Sequence, residues 1–212
     1  MLDIEAAVQE AASVRKATAA EVPALAAALG RAFYDDAPTR WVFPDDATRE
    51  EMMRRSLELY LRRLWFRQDE SYTTDSIAGA AIWELPNQWQ VSVLKQLSLL
   101  PSIAIIFRRQ LPRALAAIAA LESNHPAEPH YYLPFVGVDP RWQGRGIGAA
   151  LIGPVLARCD SEGMPAYLEA STPRNRALYE RHGFRVTEEF ELGEGSPPLW
   201  RMWRDPVTAG VV

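Results

Sequence analysis

The residues with the most evident chemical potential lie in 138-VDPRWQGRGIGAAL-151. Gly144, Gly146 and Gly148 alternate there with Arg145 and Ile147, between an apolar run and a segment that reads as a helix. Glycine loses more conformational freedom than any other residue, so such a cluster marks backbone that bends tightly or approaches something closely. A glycine loop feeding a helix N-terminus leaves N–H groups unpaired, and the helix dipole adds partial positive charge at the same point. Together they suit an anion, most often a phosphate. Gln143 and Arg145 offer further donors, whereas a tight loop without a ligand is the competing reading. A P-loop is excluded, because no Gly-Lys-Ser or Gly-Lys-Thr follows. Gly144, Gly146 and Ala149 also fit the dinucleotide pattern G-x-G-x-x-A, with Glu169 about twenty residues on. Against it stand the DPRWQ insert between strand and turn and the roughly forty residues left after Glu169, too few for a six-stranded doubly wound sheet.

The elements that must position this loop are legible around it. The run 131-YYLPFVGV-138 is aromatic and β-branched, hence a strand, and Pro134 predicts a bulge or splay within it. A helix is expected over 147–162, a strand over 166–171, a short helix over 172–183 stopped by Gly183, and closing strands over 184–192 and 199–204. Pro154 inside the first of these helices predicts a kink. Upstream, 13–17, 71–74 and 79–85 read as short strands and 24–33 as a core-packed helix. The stretch 34-YDDAPTRWVFPDD-46 reads as a loop, and a helix over 48–68 opens on a Thr48–Glu51 capping box. Residues 86–122 are helical in pattern, punctuated by Pro101 and Pro112, and 96–107 within them predicts a buried helix.

The 212 residues suit one large domain with an ordinary apolar core. A net charge of −4 argues against a general nucleic-acid binder. One cysteine excludes an intrachain disulfide, and Cys159 falls at core spacing from Leu151 and Val155. With three scattered histidines, a zinc cluster is not expected, so no metal site is assigned. The acidic N-terminal stretch is not a signal peptide and no run is long enough to span a bilayer, which predicts a cytoplasmic protein without a membrane partner.

The string 143-QGRGIG-148, following a strand that ends in GVDP, resembles the Q/R-x-x-G-x-G/A signature of the GNAT superfamily of acetyl-CoA-dependent N-acetyltransferases. The segment 173-PRNRALYERHGF-184 is similar to the asparagine–tyrosine helix of the same superfamily, in the same order and at the same distance. The resemblance covers 131–204 best. The segments 32–41, 166–175 and 195–204 are similar to the branch containing puromycin N-acetyltransferase, while 86–125 resembles nothing specific. The implied fold is a single α/β domain over 1–212, with a central twisted mixed sheet of about six to seven strands and helices on both faces. Its halves would be an acceptor side, 13–130, and an acetyl-CoA-binding side, 131–204.

The resemblance also implies roles. Backbone of Gln143, Gly144, Arg145, Gly146, Ile147, Gly148 and Ala149 would hold the pyrophosphate of coenzyme A. Phe135, Val136, Gly137 and Val138 would hold the pantetheine arm and place an N–H against the thioester oxygen. Tyr179 would be the general acid that protonates the departing thiolate, unless it merely packs against the sheet. Asn175 would contact the cofactor or cap its helix. Glu169 would accept the amine proton directly or through water, anchor a cationic amine, or form a structural salt bridge with Arg174 or Arg176. His130 is a weaker base candidate and reads better as a solvated loop residue. Tyr34, Asp35, Asp36, Trp41 and Trp83 would line the acceptor pocket, with the two tryptophans equally suited to the core. The expected reaction moves acetyl to a primary amine of a small molecule through a ternary complex. A protein or peptide amine and a non-catalytic acyl-CoA sensor are the alternatives. A homodimer could form through the Trp-rich last strand.

Overall fold

The computed structural model describes residues 4–207. The outermost residues of the expected domain, 1–3 and 208–212, lie outside the described residues. The strands are β1 (Arg15–Lys16), β2 (Ser71–Thr73), β3 (Gly79–Glu84), β4 (Tyr131–Val138), β5 (Ala166–Ala170), β6 (Arg185–Glu191) and β7 (Pro198–Arg204). They form one mixed sheet in the order β1-β2-β3-β4-β5-β7-β6. The β4–β5 pair is parallel and the others are antiparallel. The helices are α1 (Ile4–Ala12), α2 (Val22–Ala32), α3 (Ala37–Val42), α4 (Arg49–Arg63), α5 (Val93–Phe107), α6 (Leu111–Ser123), α7 (Ile147–Glu162) and α8 (Pro173–Glu180).

Side chains alternate across a strand, and β3 shows the consequence. Ala81 and Trp83 join the core beneath α7, with Leu151, Ile152 and Val155. Ala80 and Ile82 join the core beneath α2 and α4, with Leu25, Leu29, Leu57 and Leu61. A strand buried on both faces reads as a continuous apolar run, and GAAIWE is buried at every position. The expected mixed sheet with helices on both faces is therefore the one observed.

The feature that shapes the rest is a bulge in β4. Ile82 pairs with Phe135, yet Glu84 pairs with Tyr132, so two steps along β3 meet three along β4. One extra residue reverses the facing of everything beyond it. Leu133 belongs to the α7-side core, whereas Phe135 packs in the α2-side core. Pro134 lies at this irregularity, where its missing N–H costs the ladder nothing. On the other side, β4 and β5 pair only at Tyr131–Ala166 and Tyr132–Tyr167. From Leu133 onward the two strands part, as Pro134 predicted.

Several local expectations change. Residues 34–46 contain α3, and residues 4–12 form a helix that the sequence reading omitted. Thr48 does not close a capping box. Its hydroxyl donates to Asp45 Oδ2 at 2.8 Å, because Asp45 also accepts from the Ala47 N–H and fixes the turn first. Helix α7 runs unbroken through Pro154, which lies on the exposed face, where water can satisfy the backbone group the ring leaves unpaired. Helix α5 is only half-buried. Leu99, Ile103 and Ile106 face the core while Leu94, Leu97 and Ile105 are exposed. Strand β7 cannot pair across a subunit interface, since β5 and β6 already occupy both its edges.

At the β3–β4 contact, a Cβ on Gly79 would stand 2.4 Å from the Gly137 carbonyl oxygen. Backbone cannot yield as a side chain can. Gly79→Ala is expected to destabilise the fold by about 1–3 kcal/mol, seen as a lower urea midpoint with an unchanged slope.

Candidate active site

Two clefts meet where β4 and β5 part. The first, of about 500 Å³, is lined by Val136, Gly137 and Val138 of β4, the glycine loop, and Asn175, Leu178 and Tyr179 of α8. Gly144 and Gly146 have φ of 77° and 82°, values that favour glycine. A Cβ at either position would meet nothing within 4 Å, so the backbone there borders open space. Helix α7 starts at Ile147 without a side-chain cap on Gly146, which leaves its first-turn N–H groups to the cleft. The loop is pinned by Asp139, 1 % exposed. Its carboxylate accepts from Arg31 Nε at 2.7 Å and from Arg141 Nε and backbone N–H at 3.0 Å. The Arg141 and Arg31 guanidinium groups hold its carboxyl well below the usual carboxylate range. These open glycines and uncapped amides fit a diphosphate.

Of two expected donors, Gln143 lines that cleft, with its Nε2 donating to the Val138 carbonyl at 3.0 Å, and Arg145 does not line it. Main-chain groups of the loop border the cleft, and Arg174 and Arg181 line it as well. Phe135 also moves, lining the second cleft because the bulge reverses its facing.

Tyr179 is buried at the inner end of the first cleft. Burial, reinforced by the nearby Asp36 carboxyl, raises its phenol above the ordinary value, so it stays protonated and can only give a proton away. Asn175 lines the same cleft, its amide 3.4 Å from Ser171 Oγ. The capping role belongs to Thr172, whose Oγ1 accepts from the Asn175 N–H at 3.1 Å.

The second cleft, of about 220 Å³, holds Glu169 and Tyr132 on the sheet beneath a wall built by α3, α4, α5 and α6. The Tyr132 hydroxyl donates to Glu169 Oε2 at 2.9 Å. Oε1 is buried and lacks a hydrogen-bond partner. Burial lifts the carboxyl to about 7, although the Tyr167 and Tyr132 hydroxyls and Arg201 favour its ionised form. Glu169 forms no ion pair among the described residues; Arg176 is bound to Glu180 at 3.1 Å instead. Glu84, opposite Tyr132 in register, is pushed up to about 8 by burial, with the Glu169 charge adding to the shift. Asp36 lines both clefts and accepts from Ser171 Oγ at 2.5 Å. Its carboxyl is raised by burial, against the hydrogen bond from Ser171.

Of the five residues expected at the acceptor pocket, only Asp36 lines it. Trp83 is fully buried on the opposite face of the sheet, because its parity in β3 places it with α7. Trp41 stands behind the wall. It packs with Ala117, Leu192 and Leu199, and its carbonyl accepts from Arg113 Nη1 at 2.9 Å. Tyr34 is turned to Arg49, whose guanidinium lies 5.0 Å from its ring, and its hydroxyl donates to the Asp46 carbonyl. Asp35 is exposed. The alternation of Asp35 and Asp36 gave no means of choosing between them.

His130 is not a solvated loop residue; it is 2 % exposed. Its Nδ1 lies 2.6 Å from the Glu128 carbonyl and its Nε2 lies 3.0 Å from His125 Nε2. The first contact requires Nδ1–H, so Nε2 accepts from His125. Burial lowers His130, and burial followed by the His130 charge lowers His125 to about 3. The pair is neutral and packed among Trp89, Tyr167 and Trp203. Cys159 is buried in the α7 core, where burial pushes its thiol up to about 12.

A parted strand pair with an anion cradle on one side and a carboxylate-bearing pocket on the other is the layout of an acyl-CoA-dependent transferase fold. The family model described as Acetyltransferase (GNAT) family matches residues 31–184, and the chain belongs to that family. It is 41 % identical over 80 residues to an uncharacterised N-acetyltransferase of Schizosaccharomyces pombe, a match spanning 37 % of this chain and about a third, 32 %, of that relative. Its fold is similar to that of a histone acetyltransferase and related acetyltransferase from Corynebacterium glutamicum, with TM-score 0.69 and 27 % identity over 94 % of this chain and 98 % of the other. It is also similar to the polyamine N-acetyltransferase of Drosophila melanogaster, described as forming N-acetylagmatine. That match has TM-score 0.59 and 14 % identity over 91 % and 98 % of the two chains.

The proton held by Glu169 couples stability to pH. Its folded value of about 7 lies above the ordinary glutamate value of 4.5, so the native state binds more protons than the unfolded chain between the two. Stability therefore falls as pH rises through that window. Glu169→Gln is expected to raise the thermal midpoint relative to wild type at pH 8, with the gain fading toward pH 4.

Proposed function

We propose that this chain transfers the acetyl group of acetyl-CoA to a primary amine of a small molecule, by direct attack within a ternary complex. The observation that carries the reading is the junction itself. Glu169, its Oε2 bound by the Tyr132 hydroxyl, and Tyr179, with a phenol held protonated, line clefts that meet where β4 and β5 part. Acetyl-CoA supplies an activated acyl group with a thiolate leaving group. Main-chain groups of Gly144 to Ala149 would hold its diphosphate. The β5-facing edge of β4, free of a strand partner from Leu133 onward, would receive the pantetheine amides and offer an N–H to the thioester oxygen.

Glu169 accepts the proton that the attacking amine must lose, its value of about 7 matching the neutral range in which a base works best. Tyr132 orients that carboxylate by donating to Oε2. Tyr179 returns a proton to the sulfur. Asp36, oriented by Ser171, stands between them. Cys159 lines neither cleft, which favours direct attack over an acyl-enzyme. The polyamine acetyltransferase with a similar fold supports a small amine over a macromolecular one. We place the chain nearest the puromycin N-acetyltransferase-like branch on 32–41, 166–175 and 195–204 alone.

Glu169→Gln is expected to reduce kcat about 10²–10⁴-fold. In wild type, kcat/KM is expected to rise with pH through an apparent value near 7, and that limb should vanish in the variant. Tyr179→Phe is expected to lower turnover while leaving calorimetric acetyl-CoA affinity within about threefold, because the phenol acts after binding. Unchanged turnover would remove its acid role, and NAD binding without acetyl-CoA binding would overturn the proposal as a whole.

A further inference from the structure

The acceptor pocket is chemically one-sided, and the asymmetry selects among amines. Its only carboxyl groups among the described lining residues, Asp36 and Glu169, stand at the junction with the cofactor cleft. Ser56, Thr39 and the Tyr60 hydroxyl are the polar groups its helical walls add. The aliphatic wall is Ala114, Ala117, Ile118 and Leu121 of α6 with Leu192 and Leu199 beside them, and it has neither a charge nor a hydrogen-bonding side chain. Four of these six come from α6, in the segment 86–125 whose sequence resembled nothing. That segment is the roof. Among its residues 86–121 there is no aspartate or glutamate, while Lys95, Arg108, Arg109 and Arg113 are present.

We infer that the acceptor is a primary monoamine with a compact apolar body, and that diamines, polyamines and guanidino-amines are rejected. The inference rests on the transferase reading above and deepens it. An amine head placed at Glu169 directs the rest of its substrate away from the junction, toward the aliphatic wall. A second ammonium or guanidinium carried there would be stripped of water and given no counter-charge, which costs several kcal/mol. An alkyl chain or a ring gains instead by leaving water. The cavity also bounds size. A 150 Å³ cavity lined by similar side chains accommodates benzene, so about 220 Å³ suits one ring on a short chain, or an alkyl chain of roughly six to eight carbons. A peptide N-terminus would need an open groove in place of this roof.

Charge elsewhere does not repair the wall. Arg113 Nη1 is bound to the Trp41 carbonyl and carries the same sign as the amine. Glu122, the next residue after Leu121, is exposed, and its Oε1 accepts from Gln96 Nε2 at 3.2 Å.

The test is a wild-type kcat/KM panel with free-thiol release as readout. It uses hexylamine and 2-phenylethylamine against 1,6-diaminohexane, agmatine, spermidine and an alanyl peptide, with calorimetric acetyl-CoA binding measured in parallel. The monoamines are expected to exceed every dicationic substrate by at least about 100-fold, chiefly through KM. Hexylamine against 1,6-diaminohexane is the sharpest pair, because the two differ only by the distal ammonium. Comparable or better turnover of the diamine, spermidine or the peptide would overturn this inference while leaving the transferase reading intact. Acetyl-CoA binding with no turnover of any amine would overturn both. As a second arm, Leu121→Glu places a carboxylate on the half-buried edge of the aliphatic wall. It is expected to shift the ratio of diamine to monoamine at least tenfold toward the diamine. A folded variant with an unchanged ratio would show that the distal ammonium never reaches that wall and would likewise overturn the inference.

Discussion

The arrangement of the site depends on one additional residue in β4. If the strand paired regularly with both neighbours, the sheet would close over the place where the clefts meet. Instead β3 and β4 fall out of step between Ile82 and Glu84, and β4 leaves β5 after Tyr132. Because facing along a strand has a period of two, the slip decides which residues look toward α2 and which toward α7. It puts Phe135 on the acceptor side, keeps Val136 and Val138 on the cofactor side, and bares an unpaired edge between them. Close packing holds the slip in place. Gly137 lies so near α2 and Phe33 that a Cβ would stand 2.9–3.0 Å from Ala32, Leu29 and Phe33, and a Cβ on Gly79 would come closer still to the Gly137 carbonyl, at 2.4 Å.

Around that opening the protein stores charge in an environment that resists it. Glu84 and Glu169 are both raised by burial, and each keeps a buried oxygen without a partner. A stability-optimised core would place apolar residues there. The retained carboxyl groups instead take up and release a proton near neutral pH, which is what the proposed chemistry asks of Glu169. The loop below shows the opposite treatment. Asp139 is buried but held by two arginines, so it remains ionised and serves as a fixed anchor for the glycine turn. Two buried acids thus differ in proton affinity, because one is held in ion pairs by two arginines and the other is bonded to a tyrosine and forms no ion pair among the described residues.

The second half of the chain was largely legible from sequence. The glycine loop, the strand before it, α7 and α8 all fall where residue type and spacing put them. Their signals are local: glycines with positive φ, a β-branched aromatic run, and a Thr-Pro start with a glycine stop. Pro134 announced the splay for the same reason, since a missing N–H is a property of one residue. The first half was less legible. The roof formed by α5 and α6 carried no motif, and its apolar pattern could not say which residues face a core, a ligand or solvent. The exposed Leu94, the core-packed Leu99 and the pocket-lining Leu121 are the same residue type with three different surroundings.

Sequence alone therefore marked most elements of the second half and the glycine loop, and resemblance supplied a candidate acid and base. Only the tertiary structure decided what shares a face and what a side chain meets there. Tyr132 became a partner of Glu169 through strand pairing across a sequence gap of 37 residues. Trp83 left the pocket by parity, His130 was buried against His125, and Asp36 was separated from Asp35 by the entry into α3. Each outcome is a matter of register or of packing between distant segments. Local composition does not encode such distances, because they are fixed only when sheet and helices close on one another.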